Sequence, residues 1–262
     1  MSQISSITRV GTSEPFELQV TRGQVAWHYP LNKFGYNPAI TDTEETIWSE
    51  GGIYSYITLP TTLYVSSSSA ADAGAGTGAR TLEVQGLDAD YNLKTEVVTL
   101  NGQTQVALSG TWMRVFRAFV TLAGSGGTAA GTIYVGDSGA TVGVPDNNVY
   151  AKLNSGNQTQ LALWTVPAGH TFYLDRVSFT AALSSANTYM TTKFNIRIFE
   201  TNVFRTILID TLQSAELRFN LSYPIAIPEK TDIECRAVSS SAAATAAVSA
   251  SFEGVYLWNG NN

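Results

Sequence analysis

The feature that most constrains this chain is a two-residue alternation of apolar and polar side chains, repeated in short runs with almost no helical period. Phe194, Ile196 and Ile198 alternate with Asn195, Arg197 and Phe199. Leu217, Phe219 and Leu221 alternate with Arg218 and Asn220, and Val248, Ala250 and Phe252 with Ser249, Ser251 and Glu253. Successive strand side chains point to opposite faces, so each run reads as a β-strand with one buried face. From Phe172 to Phe179 the alternation slips phase once near Asp175, which predicts a bulge. Strands recurring at this spacing and joined by turn residues predict an all-β protein, a sandwich or barrel.

The same pattern suggests where the chain divides. Residues 1–25 are polar and read as an extended N-terminal arm, an ordinary edge strand being the alternative. Pro30 and Pro38 predict loops and short strands up to Trp48. Gly52 to Pro60 reads as a strand and Thr61 to Val65 as another. Ser66 to Arg80 holds no large side chain and reads as a flexible low-complexity loop. Thr81–Val84 and Thr95–Leu100 read as strands, and Asn101-Gly102 signals a hairpin. Trp112–Leu122 and Thr132–Val135 follow as strands, and 137–148 reads as a linker rich in Gly and Asn. The predicted organisation is two tandem antiparallel β-sandwich domains, 26–136 and 149–262, a single large sandwich being the alternative. Thr211 to Glu216 is read as at most one helical turn, and the alanine-rich Ser239 to Ala247 as a loop.

Composition narrows the function classes. Charged residues make up 14% of the chain, against about 25% in typical soluble domains. A weakly charged surface favours packing on other surfaces, since fewer ions need desolvating. The net charge of −6, with no Lys/Arg run, argues against nucleic-acid binding. The start of the sequence lacks the charged and apolar regions of a secretory signal, and no apolar run reaches the roughly 20 residues of a membrane span. The expected form is therefore soluble, without membrane or nucleic-acid partners.

Candidate chemistry is sparse. Cys235, in the alternating run from Asp232 to Ala237, reads as a buried inert thiol. His28 and His170 read as surface or interface imidazoles. Asp88-Ala89-Asp90-Tyr91-Asn92 has alternate carboxylates like a calcium loop, but lacks the following Gly and closing Glu, so a turn is preferred. Gly74-Ala75-Gly76-Thr77-Gly78 has no Lys-Ser/Thr pair for a phosphate loop. The expectation is a protein with no enzymatic activity, metal or cofactor. The crowded aromatics Trp27, Tyr29, Phe34, Tyr36, Trp48, Tyr54 and Tyr56 are the candidate partner interface, with core packing or a sugar platform as alternatives.

One stretch resembles a known module. Gly86-Leu87-Asp88-Ala89-Asp90-Tyr91-Asn92, Thr95 to Gly102, Arg114-Val115-Phe116-Arg117-Ala118 and Ala130 to Gly136 resemble a β-module of virion proteins from tailed bacteriophages, especially marine ones. Tyr91 stands where that module's turn usually has Gly. Asp175 to Phe179 and Ser251 to Val255 more loosely resemble jelly-roll-like virion domains. The resemblance implies two β-sandwich or jelly-roll-like domains and a structural role in the particle. A capsid decoration or cement protein is expected first, bridging subunits of the major capsid protein and assembling with itself, most simply as a homotrimer. A tail, connector or host-binding position and a carbohydrate-binding sandwich are the alternatives.

Overall fold

Alternating runs leave one apolar face per sheet, and two such faces bury each other. The structure is a computed structural model that describes residues 14–154, 156–183, 188–213, 215–242 and 245–260. A short helix, α1 (Phe16–Thr21), precedes β1 (His28–Ile40) and β2 (Glu45–Thr46). Then come β3 (Tyr64–Ser67), β4 (Ala79–Leu87), β5 (Leu93–Thr99), β6 (Val106–Ala107), β7 (Arg114–Ala123) and β8 (Ile133–Gly136). Next are β9 (Ala140–Thr141), β10 (Val144–Pro145), β11 (Val149–Leu153) and β12 (Leu163–Thr165). The last six are β13 (His170–Leu183), β14 (Met190–Arg197), β15 (Arg205–Leu212), β16 (Glu216–Ile227), β17 (Asp232–Ser239) and β18 (Ala246–Trp258). The protein is nearly all β, built from several small antiparallel sheets.

Two of these sheets form a sandwich. One runs β1-β18-β13-β16; the other runs β12-β17-β14-β15, with β2 also paired to β17. Phe172, Phe179 and Phe252 of the first sheet and Phe194 and Trp164 of the second are buried. Phe194 meets Phe252 edge-on at 5.4 Å, and Trp164 meets Phe172 at 5.4 Å. Each such fully buried side chain contributes about 1.5–3 kcal/mol. The pairing register of β13 shifts between Leu174 and Arg176 against both neighbours, which is the phase slip read at Asp175. It lets Leu174 and Val177 both face the core.

The partition of the chain differs from the tandem arrangement. β3 to β11 pair only among themselves, as sheets β11-β8-β3-β6 and β5-β4-β7 and the small β9–β10 hairpin. They are nested inside the sandwich sequence rather than placed before it. Residues 137–148 do not link two domains. They hold the β9–β10 hairpin between β8 and β11, which are neighbours in one sheet. The insertion interrupts a single strand. On β17, Ala237 and Arg236 pair with Glu45 and Thr46 of β2, and Glu234, Ile233 and Asp232 pair with Leu163, Trp164 and Thr165 of β12. Between them Ile47 N donates to Cys235 O at 2.9 Å, Cys235 N to Ala162 O at 2.9 Å, and Ala162 N to Ile47 O at 3.0 Å. The chain thus leaves the strand after Ile47 and re-enters it at Ala162. Gly35 of β1 lies directly on this junction: a Cβ there would collide with Ala162 N and Ile47 O.

Other local expectations are corrected. Val25 to Trp48 is not a set of short strands, because β1 runs 13 residues through Pro30 and Pro38. It is an edge strand, whose outer side needs no ladder donors, and its register shifts between Asn37 and Ile40, around Pro38. Of the predicted arm, 1–13 lies outside the described residues, and Phe16–Thr21 is helical with Val20 buried. Gly52 to Pro60 forms no strand; Tyr54 N donates to Thr46 Oγ1 at 2.8 Å, so a side chain replaces the ladder. Asn101-Gly102 does not close a hairpin, since β5 pairs with β4 and β6 with β3. Gly102, at φ 60°, turns the chain from one sheet to the other. Where a helical turn was an option, Thr211 and Leu212 end β15 and Glu216 begins β16. Tyr91, at φ 65°, does occupy a position that favours Gly.

The Ser/Ala/Gly stretch before β4 is not a flexible loop. Asp72 is fully buried inside it. Its Oδ1 accepts from Ala79 N at 2.7 Å and Ala130 N at 2.8 Å, and its Oδ2 from Ser67 Oγ at 2.6 Å and Gly131 N at 2.9 Å. One carboxylate therefore anchors three segments of the chain where large apolar side chains are lacking. Each oxygen accepts from at least one backbone N–H, so an amide nitrogen at either place would face a donor. Asp72→Asn is expected to lose on the order of 3 kcal/mol, since hydrogen bonds to a charged group are worth about 1.5–3 kcal/mol each. Urea unfolding measures this; a loss under about 1 kcal/mol would mean the segment holds itself by packing alone.

Candidate interaction surface

The insertion is fastened to the sandwich by a buried ion pair. Arg114 opens β7 of the insertion and Asp232 opens β17 of the sandwich, at 5% and 2% exposure. Asp232 Oδ1 accepts from Arg114 Nε at 2.7 Å and Thr165 Oγ1 at 2.6 Å. Its Oδ2 accepts from Arg114 Nη2 at 3.0 Å and from Arg197 Nη2 at 2.6 Å and Nε at 3.0 Å. Burial pulls the Arg114 pKa down, but the hydrogen bonds and charge of Asp232 outweigh it and hold the guanidinium more firmly protonated than usual. Two residues along, buried Glu234 accepts from Arg236 Nε at 2.8 Å, Tyr56 OH at 3.2 Å and Thr46 Oγ1. Aromatic rings interleave the cations: Arg197 lies 4.3 Å and Arg114 5.2 Å from the Tyr56 ring, and Arg197 and Arg236 lie 4.9 and 4.6 Å from Phe204. Burial, then the charges of Glu234 and Asp232, pushes the Tyr56 hydroxyl well above its ordinary pKa and keeps it a donor.

This network divides the seven aromatics. Trp48 and Tyr54 are buried. Trp48 Nε1 donates to Gly51 O at 2.9 Å, and Tyr54 OH to Tyr150 O at 3.1 Å. They anchor the insertion and present no surface. Tyr56 belongs to the ion network, and Phe34 and Tyr36 are half-buried along β1. Only Trp27 and Tyr29 are exposed, at 52% and 38%.

Those two join residues from the far end of the chain. Tyr29 pairs with Tyr256 in the β1–β18 register and stacks on it at 5.1 Å. His170 lies 5.4 Å from Tyr256, 5.1 Å from Trp258 and 6.0 Å from Tyr29. Trp258 is 41% exposed, and its N–H donates to Trp27 O at 3.2 Å. Gly169, at φ 70°, is needed here because a Cβ would strike the Trp258 ring. Beside this end, α1 exposes Phe16 and Leu18, and Phe16 meets His28 edge-on at 5.8 Å. The result is an exposed aromatic surface supported from below by buried Trp164, 5.3 Å from Tyr256.

A cleft of about 1130 Å³ adjoins it. One wall is α1 with Phe16 and Val20, one is the first sheet with Pro30, Tyr173 and Tyr256, and one comes from the insertion with Leu93, Phe116 and Arg117. Lys33 of β1 also lines it, at 3% exposure, and donates from Nζ to Phe116 O. Burial first, and then the neighbouring Arg117, drives its pKa well below the ordinary lysine value.

Neither Lys33 nor the C-terminal aromatics were visible in the sequence. Lys33, Gly35 and Asn37 form the buried face of β1, while Phe34 and Tyr36 are half-covered, the reverse of what side-chain polarity suggests. Tyr256 and Trp258 meet Trp27 and Tyr29 only through the β1–β18 pairing. Elsewhere, Cys235 is buried and its thiol is pushed up by burial and then by Glu234. Asp88 Oδ1 accepts from Asp90 N and Asn92 N, both at 2.9 Å, as an Asx turn. No described helix is long and apolar enough to cross a membrane.

No family model and no curated protein matches the sequence. Among solved structures, the chain is similar to a structure of the infectious bursal disease virus Gt strain, at 11% identity and a TM-score of 0.23, covering 95% of this chain and 78% of that one. It is also similar to the VP2 subviral particle of infectious bursal disease virus, at 12% identity and a TM-score of 0.22, covering 89% and 73%.

Two expectations follow. Asp232→Ala leaves Arg114 and Arg197 without their shared carboxylate, and should cost about 3–5 kcal/mol. Urea unfolding should also become broader or split, as the insertion and sandwich uncouple; a small loss with one sharp transition would show that apolar packing alone joins them. Lys33→Met should raise the thermal midpoint at pH 7, by about 2–4 °C per kcal/mol of relieved desolvation. The folded-state pKa of Lys33 is depressed, so above it the unfolded chain holds the extra proton and wild-type stability rises with pH. The advantage of Met should therefore shrink toward pH 10.5, and an advantage constant with pH would mean that Lys33 is not strained by its burial.

Proposed function

We propose that this protein is a structural component of a virus particle, a decoration or cement protein on the capsid of a tailed bacteriophage, acting by packing and without catalysis. The observation that carries this reading is the strand order. Taking β2 and β12 as one interrupted strand, the sandwich runs first, eighth, third, sixth in one sheet and second, seventh, fourth, fifth in the other. That is the order of a jelly roll, an architecture used by viral capsid proteins, lectins and cupins. The low charge and the exposed Trp27–Tyr29–Trp258 surface support a role in protein–protein packing over the other uses of the fold. The proposed partners are the major capsid protein and further copies of this chain, with a homotrimer the simplest closed assembly. The site of action is then the virion.

The test is co-sedimentation with empty capsids of the encoding phage. The wild type should pellet with the shell and run as a trimer in light scattering. Combined Trp27→Ala, Tyr29→Ala and Trp258→Ala should weaken capsid binding about tenfold or more, as expected for central aromatic anchors. A monomer that stays in the supernatant overturns the proposal, and immunogold label on the tail would move the protein to the tail or connector. The same exposed aromatics favour a carbohydrate-binding module as the second reading, which glycan-array binding abolished by Trp27→Ala would select.

A further inference from the structure

The cleft beside α1 carries a charge imbalance that the fold does not explain. Lys33, Lys94, Arg117 and Arg176 line it, with Glu17, Asp175 and Glu253 as the acids. Glu253 is taken by Arg176, and Asp175 lies 4.0 Å from the same guanidinium. Lys94 is held by Ser109 O and Thr111 O and lies 4.3 Å from the Trp112 ring. Lys33 and Arg117 have no carboxylate within ion-pair distance among the described residues. Lys33 Nζ donates to Phe116 O, and Arg117 Nη2 to Asn32 O at 2.9 Å. A carbonyl oxygen satisfies one donor but cancels no charge.

An isolated ammonium is costly to bury, and proteins seldom keep one without a counter-ion. Here the buried ammonium and a neighbouring guanidinium sit among Leu31, Phe116 and Trp164, in a space the size of an organic ligand. We infer that this cleft binds an amphipathic organic anion, its acidic head placed between Lys33 and Arg117 and its apolar body along the aromatic and aliphatic walls. The head group gives the two cations the negative partner they lack. The body covers apolar surface that α1 and the β4–β5 hairpin leave open. Overall net charge is −6, so attraction of an anion is local to this cleft and not a property of the whole surface. The inference stands apart from the virion reading, because it concerns the isolated chain.

The probe is 8-anilinonaphthalene-1-sulfonate, followed by fluorescence on the full chain and displaced by decanoate or by decanol. Decanoate should displace the dye, and decanol should be at least tenfold weaker. Lys33→Met should weaken decanoate binding about tenfold or more while melting no lower than the wild type. Arg117→Gln should weaken it several-fold, and the pair of changes should abolish the preference for decanoate over decanol. Equal competition by decanol, or undiminished decanoate binding in a folded Lys33→Met protein, overturns the inference and leaves an apolar surface only. If Lys33→Met fails to fold, Arg117→Gln decides alone, because Arg117 lies at the wall of the cleft.

Discussion

The Arg114–Asp232 pair is the constraint around which the two parts of the molecule are arranged. Its desolvation is offset only because every lone pair and donor is used: two guanidiniums and a threonine hydroxyl converge on one carboxylate. That requirement fixes where β7 lies against β17, and with it the insertion against the sandwich. The aromatic rings between the arginines then become structural necessities. Tyr56 and Tyr91 lie 5.2 and 5.3 Å from Arg114, and Phe204 lies 4.9 Å from Arg197, so each cation on the carboxylate has a ring beside it. Tyr91, in a left-handed backbone at φ 65° within the turn after β4, places its ring 5.3 Å from Arg114.

A chain with few charges has placed several of them inside. Asp72, Glu45, Asp232 and Glu234 are all buried, and each replaces something the strands do not supply. Asp72 gathers three loop segments. Glu45 accepts from Thr41 N at 3.0 Å and Gly52 N at 2.9 Å and closes the turns on either side of β2. Where apolar side chains are too small or too sparse to define a path, a saturated carboxylate defines it.

The sandwich strands were legible in the sequence because their pattern is local. Phe194 to Arg197, Leu217 to Leu221 and Val248 to Phe252 alternate within a few residues, and even the slip at Asp175 could be read. The nesting was not legible, because it depends on contacts across more than a hundred positions, such as Ile47 with Ala162. The order of the low-complexity stretch is hidden for a related reason: its anchor is a single Asp, two of whose four donors, Ala130 N and Gly131 N, come from more than fifty residues away. The aromatic set was half informative. Ring content marked the region, but only pairing with β18 separates Trp27 and Tyr29, which face outward, from Trp48 and Tyr54, which do not.

The interrupted strand has an architectural consequence. The strand formed by β2 and β12 holds its register on β17 up to Ile47 and again from Ala162, so the sandwich is indifferent to how many residues lie between. The ends of the insertion are joined by a hydrogen bond, and its strands pair with one another. Such a unit can vary in length wherever it does not touch the host sheets. Any replacement must still meet the host where the insertion does: a cation at the place of Arg114 for Asp232, a hydroxyl at that of Tyr56 for Glu234, and a carbonyl at that of Phe116 for Lys33.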